Sequence, residues 1–359
     1  MAILKYLKRG GTRVLDTVRA GDLRSTVKMF RLYGQALRKE PEGVCLPNEI
    51  QFEVSNICNL HCPMCSYSRN DTEARRSLLS RETFHAVLDQ LPDLRAINLT
   101  GLGESLLNPD LAHFVEHASR RGIRTAMISN GLLFNAGKTE TLAAAGLVTL
   151  GLSIESGLEE AYAARRLGGS LEKFKAALEV LRQARRSRAP CFSVSFNVLL
   201  TPENVNDPAH IRSILDLAKA HEIPEISFQN PHDMKQHFGE PYSPAFAARL
   251  AALFCQVSER AQAVSITCHF PSMERARNCC YYPWVYPYIT ALGEVLPCCV
   301  IPQFGDYQTI VRELSFGNAI TTPLAEIWNG EKAVAFRRSL GRGQPHPYCL
   351  RCSKYWNIL

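Results

Sequence analysis

Cys58-Asn59-Leu60-His61-Cys62-Pro63-Met64-Cys65 decides how the rest of the chain is read. Three cysteines recur as CxxxCxxC within eight residues, directly after a strand-like run, Glu49–Val54. Thiolates are soft, anionic ligands that suit iron–sulfur clusters and zinc. Three in one loop can face three irons of a single 4Fe-4S cube and leave the fourth iron open. Zinc would need a fourth ligand. His61 is the nearby candidate, but it is interleaved between cysteines, whereas zinc sites normally use two separated pairs.

Outward from this loop the chain alternates strands with helices. Strands are expected at Arg95–Thr100, Arg124–Ser129, Val148–Ile154, Phe192–Leu200 and Glu225–Gln229. Helices are expected after a Ser80 cap, then at Pro109–Arg121, Thr139–Ala145, Leu171–Arg186 and Pro208–Ala220. With Glu49–Val54 this makes six βα units, which implies parallel strands and right-handed crossovers. Such units close into a barrel, stop part-way, or form an open doubly wound sheet. Pro231–Pro244 reads as a loop and Ala245–Gln262 as a helix. From Ser265 cysteines, prolines and aromatics rise, with short strands at Val285–Thr290 and Glu294–Pro297 and a helix at Glu326–Leu340. The expected parts are a basic helical arm (1–45), a barrel (46–235), a linker helix (236–278) and a small C-terminal α+β domain (279–359).

The totals suit a globular chain of 359 residues, 46% hydrophobic and 21% charged. No apolar run approaches the roughly 20 residues that span a bilayer. No secretory signal is visible, so a cytoplasmic location is expected. Thirteen cysteines, grouped as CxxxCxxC, two CC pairs and a terminal CxxC, then read as metal ligands in a reducing compartment. The net charge of +7 is local: residues 1–40 hold ten Lys or Arg against three acids, and the remainder balances. Leu4 and Leu7, Leu15 and Val18, then Val27, Phe30 and Tyr33 recur there at helical spacing. The plain reading is an arm packed on the main domain with a solvated basic face. The sharper one is attraction to an anionic partner: a peripheral membrane contact or an anionic substrate. No aromatic-interleaved basic groove follows, so no nucleic acid is expected.

CxxxCxxC at the end of the first strand of a βα series resembles the radical S-adenosylmethionine (SAM) superfamily. The resemblance implies a partial (βα)6 TIM-like barrel with SAM bound to the open iron. Reductive cleavage there yields a 5′-deoxyadenosyl radical that abstracts a hydrogen atom from substrate. An external one-electron donor such as flavodoxin or ferredoxin is implied. Thr100-Gly101-Leu102-Gly103-Glu104-Ser105 is similar to the family's Gly-Gly-Glu segment, so Gly103 and Glu104 are assigned to the SAM ammonium. The segment departs from the pattern at Leu102 and at Ser105, where Pro is common. Ser129-Asn130-Gly131, Ser153-Ile154-Glu155 and Arg166-Leu167-Gly168-Gly169 resemble further SAM-binding stretches. They nominate Asn130, Ser153, Glu155 and Arg166, with Asn197 on the fifth strand and Met64 beside adenine.

Cys280, then Gly293 and Cys298 as Gly-x4-Cys, then Cys349 and Cys352 as CxxC resemble the single-cluster "Twitch" form of the SPASM extension. A hairpin at Ile289–Pro297 would deliver Cys280 and Cys298, preferred over Cys279 and Cys299. A second, auxiliary 4Fe-4S cluster is implied; a zinc ribbon is the alternative. Four protein ligands leave no place for substrate, which suits electron transfer. The family then implies an oxidoreductase that dehydrogenates a sugar, aminocyclitol or similar small alcohol, with His232, Asp233 and His237 as candidate bases. The competing readings are an epimerase with a cysteine hydrogen donor, a peptide-modifying enzyme, and a non-catalytic electron-transfer protein. Unassigned thiols are Cys191, Cys255, Cys268, Cys279 and Cys299, with Cys255 and Cys268 nominated as donors.

Overall fold

The computed structural model describes residues 23–69, 76–187, 192–233 and 243–358 apart from 273, 275 and 279. Residues 1–22 of the expected arm, Cys191, His237 and Cys279 lie outside them.

The expected strands form one sheet. They are β1 (Glu49–Phe52), β2 (Ala96–Asn98), β3 (Arg124–Ser129), β4 (Thr149–Ser153), β5 (Ser193–Leu199) and β6 (Glu225–Gln229). All pair in parallel, in chain order. Their side chains alternate. Ile50 and Phe52, Ile97 and Leu99, Val194 and Phe196, and Ile226 and Phe228 are buried. Gln51, Asn98, Asn197 and Gln229 occupy the alternate positions and line a cavity on the other face. Period-two patterning with polar residues on one face suits a barrel whose inner face holds a polar ligand. The fold is a partial barrel plus a C-terminal domain.

Local signals place the helices. Ser80 Oγ accepts from the Thr83 amide at 3.1 Å and starts the helix Arg81–Leu88. Asn135 and Ser170 cap the helices Ala136–Ala145 and Leu171–Arg186 in the same way. The helix expected at Glu326–Leu340 is two, Leu324–Asn329 and Glu331–Gly341. Gly330, in extended conformation, separates them.

Three differences from expectation matter. First, the sheet continues past β6 into β7 (Thr267–His269), a strand of three residues, too short to show a period. Second, the hairpin expected inside a separate C-terminal unit joins the barrel sheet. Its strand β8 (Tyr288–Ile289) lies parallel to β1, and β9 (Val295–Leu296) turns back on it through Gly293. Third, the helix Leu23–Arg38 buries Met29, Leu32 and Ala36 and leaves Val27 and Phe30 exposed. Helical spacing alone cannot say which of two apolar stripes packs.

The segment after that helix is tied to the C-terminal region. Trp284 Nε1 donates to the Glu40 carbonyl at 2.5 Å, and Trp328 Nε1 to that of Cys45 at 3.0 Å. Lys39 Nζ donates to the Cys280 carbonyl.

Candidate active site

The first cysteine loop lies over the carboxyl ends of the strands, where βα barrels place their ligands. Two glycines bring it there. A Cβ on Gly101 would stand 2.4 Å from the Ser55 carbonyl oxygen, and one on Gly103 2.2 Å from that of Ile57. With hydrogen there instead, the Gly103 amide donates to Ser55 at 3.0 Å and the Glu104 amide to Ile57 at 2.8 Å. From the other side, the His61 amide donates to Leu167 at 2.9 Å and Asn130 Nδ2 to Asn59 Oδ1 at 2.9 Å.

Cys58, Cys62 and Cys65 line a cavity of about 470 Å³. Burial pushes the Cys58 thiol up to about 12 and the Cys62 thiol up to about 11, the latter against the pull of Arg166. Cys58 also feels the charge of Cys62 and Cys65, and Cys62 that of Cys65. Desolvated thiolates gathered without a cation are unfavourable, and a bound iron–sulfur cluster relieves that cost. Among the described residues, no three such side chains converge closely enough to share one metal ion. The donor chemistry fits a cluster held by these three residues.

Met64, Gly103, Glu104, Asn130, Ser153, Glu155, Arg166 and Asn197 all line the same cavity. Glu104 is buried, which raises its pKa above 4.5 while its hydrogen bonds oppose the rise. Its carboxylate accepts from the Asn130 amide and Ser129 Oγ, both at 2.8 Å, and so orders the turn after β3. Glu155 and Arg166 are bound to each other. Asn197 lies across β4 because Gly151 has no side chain: a Cβ there would stand 2.1 Å from Asn197 Nδ2.

Cys280, Cys298, Cys349 and Cys352 line a second, small apolar pocket. Cys298 and Cys352 are buried, and burial with the neighbouring thiols raises both. Four gathered thiols suit an auxiliary cluster. Cys299, next in sequence, lines the main cavity instead. Burial pushes its thiol up to about 12, with Lys354 opposing.

The candidate bases fare differently. His232 lines the cavity. Asp233 does too, but it is 5% exposed and ion-paired with Arg351. The same turn is fixed to the terminal CxxC: the Ser353 amide donates to the His232 carbonyl at 2.9 Å, and Asp233 bridges Cys352. Asp233 is thus engaged with Arg351 and Cys352 rather than presented alone to the cavity. Neither nominated donor reaches the cavity. Cys255 is exposed on the helix Pro244–Ala263, and Cys268 sits on edge strand β7.

Several lining residues escaped the motif reading: Gln51, Asn98, Gln229 and Gln303, with Tyr282 and Tyr286. For the first three, the signal was a polar residue on the same strand face as Ser153 and Asn197.

Comparison with known proteins agrees with this geometry. The radical SAM superfamily model matches residues 52–215, and that of the SPASM iron–sulfur cluster-binding domain matches 279–353. A PqqA peptide cyclase of Gluconobacter oxydans is 27% identical over 321 residues, covering 86% of this chain and 84% of its own. An AdoMet-dependent heme synthase of Methanosarcina barkeri is 22% identical, covering 81% and 84%. The crystal structure of Streptococcus suis SuiB bound to precursor peptide SuiA superposes with a TM-score of 0.66 at 15% identity, over 99% of this chain and 83% of SuiB. That last likeness is one of fold.

Proposed function

Because the chain is a radical SAM protein with a C-terminal SPASM domain, we propose that it abstracts a hydrogen atom from a polar substrate held in the main cavity. The observation that carries this is one cavity wall that includes Cys58, Cys62 and Cys65, the strand amides, and Cys299. Cys58, Cys62 and Cys65 would hold the SAM-binding cluster, and Cys280, Cys298, Cys349 and Cys352 the auxiliary one. When bound, these groups supply a 5′-deoxyadenosyl radical and a one-electron acceptor.

The chain's own residues define the substrate. Glu155 is bound to Arg166, and Asp233 to Arg351. Much of the remaining surface is amide and phenol: Gln51, Asn98, Asn197, Gln229, Tyr282 and Tyr286. Such a surface orients hydroxyls or amides by paired donors and acceptors. It suits a neutral polar molecule better than the anionic one considered from composition. Dehydrogenation of an alcohol is the first reading, with His232 taking the hydroxyl proton. The relatives named PqqA peptide cyclase keep a peptide hydroxyl or amide among the candidate substrates.

Cys299 supports a second, redox-neutral reading. Cys299, which lines the cavity, would give a hydrogen atom to a substrate radical, as an epimerase requires; the thiyl left behind would be restored to thiol by one electron from the auxiliary cluster and a solvent proton. Flavodoxin or ferredoxin is the proposed source of the starting electron, and a reducing cytoplasm the proposed setting. Among the described residues no helix is long and apolar enough to cross a membrane.

Reduced, reconstituted protein should convert SAM to 5′-deoxyadenosine; failure to do so would sink the proposal. A product two mass units lighter selects dehydrogenation, with His232→Gln uncoupling SAM cleavage from product. A product of unchanged mass in H2O that gains one carbon-bound deuterium in D2O, a gain lost in Cys299→Ala, selects hydrogen return.

A further inference from the structure

Four large apolar side chains stand in water along the helix Leu23–Arg38: Leu23 (74% exposed), Val27 (59%), Phe30 (61%) and Leu37 (43%). Steps of four, three and seven residues keep them on one stripe. The other side of the helix holds the core residues Met29, Leu32 and Ala36. This helix is therefore apolar on two faces, and only one is covered by the described residues. Arg31 and Arg38 each follow a stripe residue in sequence, and both are exposed. The stripe also lies in the segment, residues 1–40, that carries the entire net charge of +7.

We propose that this helix is an interfacial anchor, laying its apolar stripe into the surface of an anionic lipid bilayer. An apolar stripe beside basic side chains is the arrangement that partitions into the headgroup boundary, with anionic lipid adding electrostatic attraction. The 16 residues of the helix lie on a membrane rather than cross it. Charge disfavours a second copy as the occupant, since pairing two such faces would bring two strongly basic arms together. The anchor adjoins the auxiliary-site domain, because Lys39 and Glu40, just past the helix, are bonded to Cys280 and Trp284.

The full-length, cluster-reconstituted protein is sedimented with vesicles of phosphatidylcholine alone, or with phosphatidylglycerol added. The parent protein should pellet with the anionic vesicles at low salt and stay in solution with the neutral ones. Val27→Glu/Phe30→Glu and, separately, Arg31→Glu/Arg38→Glu should each lower partitioning by roughly ten-fold or more. Circular dichroism and Tm matching the parent's establish that both variants fold. Three results would overturn the anchor. One is a parent that fails to pellet with anionic vesicles. Another is Val27→Glu/Phe30→Glu pelleting as well as the parent. The third is a parent that is a dimer in solution and that this variant converts to monomer, which assigns the stripe to a second copy.

Discussion

Arg166 grips Glu155 with two parallel bonds, Nε to Oε2 at 2.9 Å and Nη2 to Oε1 at 2.7 Å, in the wall of the main cavity. Both side chains are under 10% exposed, at 7% and 6%. The fork geometry fixes the guanidinium plane beside Cys62, whose thiol feels its charge.

A buried pair is costly to break from one side, because the survivor keeps its charge without a partner. Glu155→Gln should therefore lose about 3–5 kcal/mol of unfolding free energy, read from chemical denaturation of the apoprotein. Arg166→Met should lose a similar amount. A loss under about 1 kcal/mol for both would show that the pair is solvated in solution.

Iron content separates the adjacent cysteines. The reconstituted protein should hold about eight irons, as two four-iron clusters require. Cys298→Ala should hold about four, while Cys299→Ala keeps the full complement, since Cys299 lines the main cavity and not the small pocket. Equal loss in the two variants would refute the assignment.

Gly103→Ala forces a methyl to within 2.2 Å of the Ile57 carbonyl oxygen. The backbone must move, at a cost of about 1–3 kcal/mol. Because the clash falls one residue before Cys58, reconstitution should yield fewer irons at the first site. Normal iron content with a normal Tm would contradict the close approach.

Glu53 makes stability depend on pH. It is fully buried and accepts from Tyr288 Oη at 2.6 Å and Tyr307 Oη at 2.5 Å. Burial raises its pKa above 4.5, and the hydrogen bonds only partly offset this. In the window above 4.5 the native state thus holds a proton that the unfolded chain has lost, so stability falls as pH rises through the raised value. Glu53→Gln cannot ionise and lacks that fall. Whatever its Tm at pH 4.5, the variant should gain on the parent at each higher pH. A constant offset would contradict the sign.

The barrel was legible because βα units announce themselves locally, by period and by caps such as Ser80. The polar residues Glu104, Asn130, Ser153, Glu155 and Arg166 of the main cavity wall were legible as short motifs at strand ends. What was not legible is pairing at long range. Tyr288 meets Glu53 across 235 residues, and Arg351 meets Asp233 across 118. No local pattern encodes either, so neither the partners of Glu53 nor the ion pair of Asp233 can be read from the sequence. Similarly, β8 could be read as half of a hairpin, but not as the parallel neighbour of β1. Cys255 and Cys268 lie off the cavity lining for a related reason: sequence shows a spare thiol but not where the fold puts it.

That parallel pairing of β8 with β1 has a consequence for how such a molecule diversifies. The CxxxCxxC loop follows β1, while Cys280 and Cys298 flank the β8–β9 hairpin, so both cysteine sets hang from adjacent strands of one frame. Ladder hydrogen bonds, not a hinge, gauge the gap between them. New substrates can then be accommodated only by exchanging side chains on the inner wall or by reshaping the loops at its mouth, while the span between the two centres is inherited unchanged.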